Sequence, residues 1–490
     1  MRLLEPIRLI ALAGLLGLLG AGALMGALYL GNPMDKVFVL VCLLGIAIPF
    51  VKDLERFSFL AIGGTLPIML TIHFTQMGIN RTRSHNTAGF VVTVTEVLIL
   101  ILLAHWAKRV LVDKAPVRIF PKITLPTLFG FFIAIAASIR TIDDPNAGLW
   151  MLYQILLGVG VFLYLLNNPR PQKDYIAFAW IVGGMLVFQS FLGHMQWLFH
   201  TSLGLEPFGA SMVRVERVKG TVELSRMVGT LANANRFGGY VSLFMAFPLA
   251  LFVSQVRKKQ RWLLLFILAA AFFALVGSKS RGSWFSTGLV YGVALFLIFR
   301  TRMRVSRAVI AYAWGIFILL IGIAFSPGVI ERLTIADAGS VDARFYMNQI
   351  ASNLIMDNPW LGVGYDNYTL FFHHYDNTDI GHSFSFPFII HNGYLYTAAE
   401  YGLPMLFILG LVWWRVFRYS FRLRPRSLHP LEMLAWILPF AFLARSIQIL
   451  FYISNPFCSV PLWFFLGMMV ALREKADAIA EEAEPSLAPG

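Results

Sequence analysis

Long apolar stretches recur from one end of the chain to the other, and they limit its fold more than any other feature. Each stretch of about 17–25 residues is long enough to cross the hydrocarbon core of a bilayer as an α-helix. The chain is 58% hydrophobic and only 13% charged, about half the charged fraction of soluble domains, which excludes a soluble globular protein. We therefore predict an all-α polytopic membrane protein with about 14 transmembrane helices in one domain, residues 1–472. The candidate spans are approximately 8–30, 35–51, 57–76, 88–106, 120–139, 149–167, 175–199, 236–255, 262–278, 282–300, 308–325, 389–415, 431–450 and 455–472.

The basic residues predict how these helices are oriented. More than half of the 40 Lys and Arg residues fall in alternate short connections, as expected for segments that remain in the cytoplasm. This places both termini inside and two long hydrophilic loops, 200–235 and 326–388, outside. Short amphipathic helices are expected in the second loop, and residues 473–490 are expected to form a disordered, partly acidic cytoplasmic tail.

A second group of basic residues lies on the predicted outer face, where the insertion bias disfavours them. A charge within a span costs about 2.5–3.5 kcal/mol, so an anionic ligand is one explanation for this group. Arginine suits phosphate because its planar guanidinium donates two parallel hydrogen bonds. The alternative is that these side chains reach lipid headgroups or pair with nearby carboxylates such as Glu206, Glu216, Glu223, Asp337 and Asp342. The arginines concerned are Arg214, Arg217, Arg226, Arg281, Arg344 and Arg445.

The second long loop contains a predicted surface helix and a constrained turn. Apolar residues recur at helical spacing from Asp342 to Met356, which indicates an amphipathic helix. Pro359, Gly362 and Gly364 then predict a sharp turn. The histidines of this loop lack the spaced cysteine or carboxylate ligands of a metal site, so no metal site is predicted.

His391 and Asn392 lie at the outer start of the twelfth predicted span. A histidine on a rigid helix beside an aqueous cleft is suited to proton transfer near neutral pH. The alternative is an interfacial histidine that serves only in packing.

Three motifs resemble those of the O-antigen ligase and polymerase superfamily. They are Ser280-Arg281-Gly282; Arg344 followed by the segment from Asn358 to Gly364; and His391-Asn392 followed by Gly402. Together with the flanking sequence they cover residues 226–410. Met405 departs from the family pattern, which often has a small residue or tyrosine at that position.

The resemblance implies a GT-C-like fold and an inverting, metal-independent glycosyltransferase without a cofactor. The donor would be a glycan linked to undecaprenyl diphosphate at the periplasmic side of the bacterial inner membrane. Arg281 and Arg344, with one or more of Arg214, Arg217 and Arg226, would bind the diphosphate. His391 would be the catalytic base, and Arg445 and Asn392 would assist in substrate binding.

The acceptor separates several functions that the sequence leaves open. An O-antigen or exopolysaccharide polymerase would extend another lipid-linked glycan, whereas a ligase would use the lipid A core, and a protein O-oligosaccharide ligase shares the same motif. The favoured prediction is a polymerase. A lipid-linked oligosaccharide flippase is the rival from a different class, but it would be expected to have short loops and matching halves. The expected partners are the glycan donor linked to undecaprenyl diphosphate, the glycan or lipid A core acceptor, and membrane lipids. Other polysaccharide assembly proteins are a further expected class of partner. Nucleic acid is not an expected partner despite the net charge of +14, because orientation and the outer cluster account for it.

Overall fold

The computed structural model describes residues 52–68, 71–73, 91–140, 145–208, 216–218, 222–224, 226–254, 256–300, 340–377, 390–452 and 456–483. The first two predicted spans, the span over 308–325 and Arg214 lie outside these residues. Within them the chain is helical apart from two short antiparallel hairpins and short turns. This confirms the all-α membrane-protein class.

The helices follow one another through the described sequence, interrupted by the two hairpins. One hairpin pairs β1 with β2 and the other pairs β3 with β4. The elements are α1 Leu54–Thr65, β1 Thr71–His73, β2 Val91–Thr93, α2 Val94–Leu111, α3 Pro121–Ile139, α4 Pro145–Asn167, α5 Gln172–Phe199, β3 Glu216–Val218, β4 Val222–Leu224, α6 Ala234–Phe244, α7 Ala246–Val253, α8 Lys258–Gly277, α9 Arg281–Arg300, α10 Ser340–Asp357, α11 Tyr368–Phe371, α12 Gly393–Tyr401, α13 Leu403–Ser420, α14 Pro430–Ile449 and α15 Val460–Ala483.

Six segments of the described chain are long and apolar enough to cross a membrane. Each overlaps one of the predicted spans, which supports the multi-pass architecture. They are Lys122–Ile139, Gly148–Asn167, Gln172–Phe199, Ala234–Val253, Lys258–Gly277 and Pro430–Ile449.

Helices α6, α7 and α14 form the centre of the structure. The segment Ala234–Val253 is buried along nearly its whole length, and α14 packs against α6, α7, α9 and α15. A break at Met245 separates α6 from α7. Pro248 follows it, and a proline cannot donate the backbone hydrogen bond to the residue four positions earlier. Outer helices instead expose large apolar side chains, such as Phe132 of α3, which is 65% exposed.

The structure also interrupts other predicted spans. α1 ends at Thr65, and Thr71–His73 forms a strand, so residues 57–76 are not one continuous helix. The span predicted over 389–415 is divided at Gly402, whose φ of 86° lies in the region that favours glycine. These breaks show that an apolar stretch of sufficient length need not be one straight helix.

The predicted tail also differs, because α15 continues to Ala483. Ion pairs hold this extension: Arg473 contacts Glu432 at 3.3 Å and Arg422 contacts Asp477 at 3.0 Å. The expectation of disorder from residue 473 is therefore corrected for residues 473–483.

Candidate active site

The turn between α8 and α9 is built from the Ser280-Arg281-Gly282 motif. Lys279 adopts a left-handed conformation with φ of 49°, and the carbonyl of Ser280 accepts the backbone N–H of Trp284 at 3.0 Å. Helix α9 thus begins at Arg281. Its N-terminus adds partial positive charge at the point where the Arg281 side chain leaves the backbone.

Arg226 holds this turn in place from the preceding loop. Its Nε donates to the carbonyl of Ser278 at 3.0 Å, and its Nη2 donates to Asn235 Oδ1 at 2.9 Å. The same guanidinium lies 3.4 Å from the carbonyl of Lys279. Arg226 therefore connects the start of α6 to the turn that carries Arg281.

A cavity at this turn brings together basic residues from three separate parts of the sequence. Arg226, Lys279, Arg281 and Arg344 line it, together with uncharged side chains such as those of Asn235 and Gln448. Clustered cations in a concave site produce a positive potential that attracts anions. The structure thus places three of the predicted diphosphate-binding arginines, Arg226, Arg281 and Arg344, around one cavity.

Arg445 is held beside the cavity by Gln448. Arg445 Nη1 donates to Gln448 Oε1, while Gln448 Nε2 donates to Ser283 Oγ and, at 3.1 Å, to the carbonyl of Asn235. Gln448 lines the cavity and is only 1% exposed. Its amide therefore joins α14 to α6 and α9, and it fixes the position of one further guanidinium.

Two adjacent glycines in α6 make this arrangement possible. A Cβ on Gly239 would lie 2.5 Å from Gln448 Oε1 and would collide with Arg445 Nη1. A Cβ on Gly238 would lie 2.8 Å from Ser283 Oγ. Side chains from α14 and α9 can therefore approach α6 closely only because both positions lack a Cβ.

Tyr452 completes this end of α14. Its ring lies 5.6 Å from the Arg445 guanidinium, and its hydroxyl accepts a hydrogen bond from Arg236 Nε. Arg236 and Lys279 are basic residues of the predicted outer face that the sequence did not assign to the site. The repeat of Arg445, Gln448 and Tyr452 at helical spacing was the available signal. The residues that Gln448 and Tyr452 contact on α6 and α9, however, are more than 150 residues away in sequence.

The glycine-rich segment of the second loop docks onto the end of α12. The N–H of Val363 donates to the carbonyl of Ala399 at 2.9 Å, and that of Gly364 donates to the carbonyl of Glu400 at 3.0 Å. A Cβ on Gly362 would lie 2.5 Å from the Ala399 oxygen. The segment therefore has a structural role, since its glycines allow two backbones to pack together.

This docking fixes helix α10, which carries Arg344, relative to helix α12. The prediction of a helix over Asp342–Met356 is confirmed by α10. Its buried residues Ile350 and Leu354 pack in a cluster with Tyr396 and Ala399 of α12. Arg344 and the start of α12 thus belong to one packed unit.

His391 lies one residue before Asn392, the N-cap of α12, and is partly buried. Asn392 caps the helix: its Oδ1 accepts the N–H groups of Tyr394 and Leu395 at 3.1 and 3.3 Å. Tyr394 donates its hydroxyl to the carbonyl of Ser446 at 2.8 Å, next to Arg445. His391 is therefore anchored near the arginine end of α14, although the residues that line the cavity do not include it.

Two of the predicted diphosphate-binding arginines, Arg214 and Arg217, are not among the described residues that line the cavity. Arg217 lies in β3, where its backbone is in register with Glu223 of β4. Arg214 lies outside the described residues, so neither arginine is assigned a contact with the cavity.

The loop histidines do not form a metal centre with other described side chains. No group of three or more His, Cys, Asp or Glu side chains in the described ranges could hold a metal ion. Burial lowers the pKa of His373, while the charge of Asp376 opposes that change.

Comparison with known proteins agrees with the motif assignment. Residues 265–410 match the family model described as O-antigen ligase. This segment includes the Ser280 turn, Arg344, the glycine-rich segment and His391. No curated protein sequence matches the chain. The family match over residues 265–410 confirms the resemblance of this membrane protein to the O-antigen ligase and polymerase superfamily.

Proposed function

We propose that this protein is a glycosyltransferase that moves a glycan from undecaprenyl diphosphate to an acceptor hydroxyl at the periplasmic face of the inner membrane. The observation that carries the proposal is the cavity lined by Arg226, Lys279, Arg281 and Arg344, four basic side chains from three separate parts of the sequence. A diphosphate leaving group develops negative charge as its bond to the sugar breaks. Fixed cations would stabilise that charge without having to rearrange during the reaction.

His391 is the proposed base. The acceptor oxygen forms a bond to the anomeric carbon as the bond from that carbon to the diphosphate oxygen breaks. The hydroxyl proton passes to His391, and undecaprenyl diphosphate leaves with the bonding electron pair. Attack from the face opposite the leaving group inverts the configuration at the anomeric carbon, and no metal is required in this scheme.

Helices α10 and α12 support these separate roles. Arg344 would bind the leaving group and His391 would serve the acceptor, and the docked glycine-rich segment holds their two helices together. Productive geometry between two reactants depends on such fixed positions.

The test is transfer of a glycan from a lipid-linked donor by the purified protein in vesicles. Arg281→Gln and His391→Ala should each lower the rate by at least about 100-fold, whereas Arg300→Gln, at the exposed other end of α9, should retain it. Full activity of His391→Ala would exclude its role as base. Full activity of Arg281→Gln would remove the basis for the diphosphate site.

Polymerase and ligase remain two versions of the proposal. The favoured version is an O-antigen or exopolysaccharide polymerase, while the description of the matching family favours an O-antigen ligase. Glycan analysis of a deletion strain distinguishes them. Single repeats on the lipid A core would indicate an O-antigen polymerase. A bare core with polymer left on its carrier would indicate a ligase, and loss of a secreted polymer alone would indicate an exopolysaccharide polymerase.

A further inference from the structure

A second, larger cavity lies between α3 and α13, with α15 at its edge. It is a groove of about 960 Å³, near the upper end of the range of about 300–1,000 Å³ for small-molecule sites. Its lining includes the aromatic residues Trp414 and Phe421, four cations and one carboxylate, Asp477. The cations are Lys122, Arg415, Arg418 and Arg422. Its chemistry therefore combines positive charge with apolar walls.

The groove lies at the opposite end of the helices from the arginine cavity. The rings of Phe120 and Tyr419 meet 6.3 Å apart where α3 begins and α13 ends. At the other ends of these helices, Arg140 donates to the carbonyl of Gly362 at 2.9 Å. The groove lies along the second half of α13, from Leu411 to its end. The 20 residues of α14 that follow span about 30 Å, and Gln448 near their far end lines the arginine cavity. The groove therefore lies towards the other end of the helices from the proposed transfer site, and the two share no lining residue.

Three cations of the groove differ in their pairing from the fourth, Arg422, which contacts Asp477 at 3.0 Å, and from two basic neighbours. Arg118 contacts Glu474 at 3.0 Å, and Arg426 contacts Asp477 at 3.1 Å. By contrast, Lys122, Arg415 and Arg418 make no ion pair or side-chain hydrogen bond with any other residue that the structure describes. Orientation in the membrane explains basic residues at this face, but it does not explain why three unpaired cations converge on one groove.

The apolar walls continue from the groove along the membrane-facing sides of the same helices. Trp414 is 55% exposed, and Phe407 lies about two turns earlier on the same face of α13. Phe129 lies about two turns beyond Lys122 on α3 and is also largely exposed. A ligand here would place an anionic group among the cations and hydrocarbon against these rings.

We propose that this groove binds an anionic phospholipid of the leaflet opposite the transfer site. Lys122, Arg415 and Arg418 would contact the headgroup phosphate, and the acyl chains would lie along Trp414 and Phe129. Basic pockets between membrane helices recognise anionic headgroups in this way. A zwitterionic lipid carries a compensating charge and should bind more weakly.

Fluorescence quenching of Trp414 tests the site directly. The full-length protein is reconstituted in phosphatidylcholine vesicles that contain brominated phosphatidylglycerol or, in parallel, brominated phosphatidylcholine. We expect stronger quenching by the anionic lipid at equal mole fraction, and we expect this excess to disappear in Trp414→Phe. Unlabelled phosphatidylglycerol should reverse the excess, whereas inorganic phosphate should not, because a free anion lacks the acyl chains.

A matched pair of charge variants tests specificity. Arg415→Gln with Arg418→Gln should weaken the anionic preference by roughly 30-fold, at about a factor of five for each cation. Lys258→Gln with Lys259→Gln removes the same charge from an exposed site at the start of α8 and should leave the preference unchanged. Both pairs are exposed, so both variants should fold.

Three results would overturn the proposal. One is equal quenching by the two brominated lipids, and another is an equal loss of preference in both double variants, which would indicate diffuse attraction. The third is protection of Trp414 from every brominated lipid, which would show that protein fills the groove.

Discussion

Substitution of Gly239 by alanine should separate the function of the site from the stability of the fold. The new Cβ would lie 2.5 Å from Gln448 Oε1, about 1 Å closer than an ordinary contact. The atoms displaced are the ends of the Gln448 and Arg445 side chains, not backbone. Alanine also favours a helix interior over glycine by about 1 kcal/mol. The protein should therefore fold, with Arg445 moved away from its observed position.

The expected effect on catalysis follows from that displacement. Misplacement of a binding group by about 1 Å can lower the rate by about 100-fold, so kcat/KM for the lipid-linked donor should fall by about 10- to 100-fold. The thermal unfolding temperature in detergent should stay within a few degrees of the wild type.

Gly288→Ala is the matched control for this experiment. Gly288 lies in α9, and a Cβ there would meet nothing within 4 Å. This variant should retain wild-type transfer. If Gly239→Ala also retained wild-type kcat/KM, the position of Arg445 would be irrelevant to the reaction.

Substitutions at three further positions test individual contacts. Asn392→Ala should destabilise the protein by about 1 kcal/mol, because it removes the N-cap of α12. Asn392→Ser keeps a capping side chain and should restore both stability and glycan transfer. A serine variant that is stable but inactive would indicate instead that Asn392 binds substrate. Gly362→Ala should reduce thermal stability strongly, since the residue has φ of 59° and its Cβ would press on the backbone of α12; an unchanged unfolding temperature would contradict the docking. Burial alone would raise the pKa of Glu55, but hydrogen bonds from Arg109 and Tyr164, together with the charges of Arg170 and Arg109, outweigh it and lower the pKa. Its stabilising contribution is therefore present above the pKa of the unfolded state and lost as the pH falls through the folded value. Glu55→Gln should weaken this acid dependence of the unfolding temperature, and an identical pH profile would contradict the assignment.

The sequence predicted the elements that depend on local pattern. Apolar length identified the membrane helices, and the helical spacing of apolar residues identified α10 in the second loop. It could not predict the break at Gly402, because that break depends on the backbone of a distant segment, Trp360 and Leu361. A Cβ at position 402 would lie only 2.8 Å from the backbone nitrogen of Leu361. Local hydropathy contains no trace of such a contact.

The clustering of the arginines was predictable from the sequence, but the contacts that hold them in place were not. Basic residues on the wrong face of the membrane indicated Arg226, Arg281 and Arg344, and the structure places them around one cavity. The role of Gln448 required knowledge of the packing of α6, α9 and α14, since its partner Asn235 is 213 residues away. Asn392 was expected to bind substrate, whereas its observed contacts are those of a helix cap.

The central claim is that the arginine cavity binds the diphosphate of the lipid-linked donor. Its most direct test is equilibrium binding of undecaprenyl diphosphate to the purified wild type, Arg344→Gln and the control Arg300→Gln. A hydrogen bond from a charged group contributes about 1.5–3 kcal/mol. Arg344→Gln should therefore weaken binding by about 10- to 100-fold, whereas Arg300→Gln should leave it unchanged. Equal affinity of all three proteins for the diphosphate would contradict the claim.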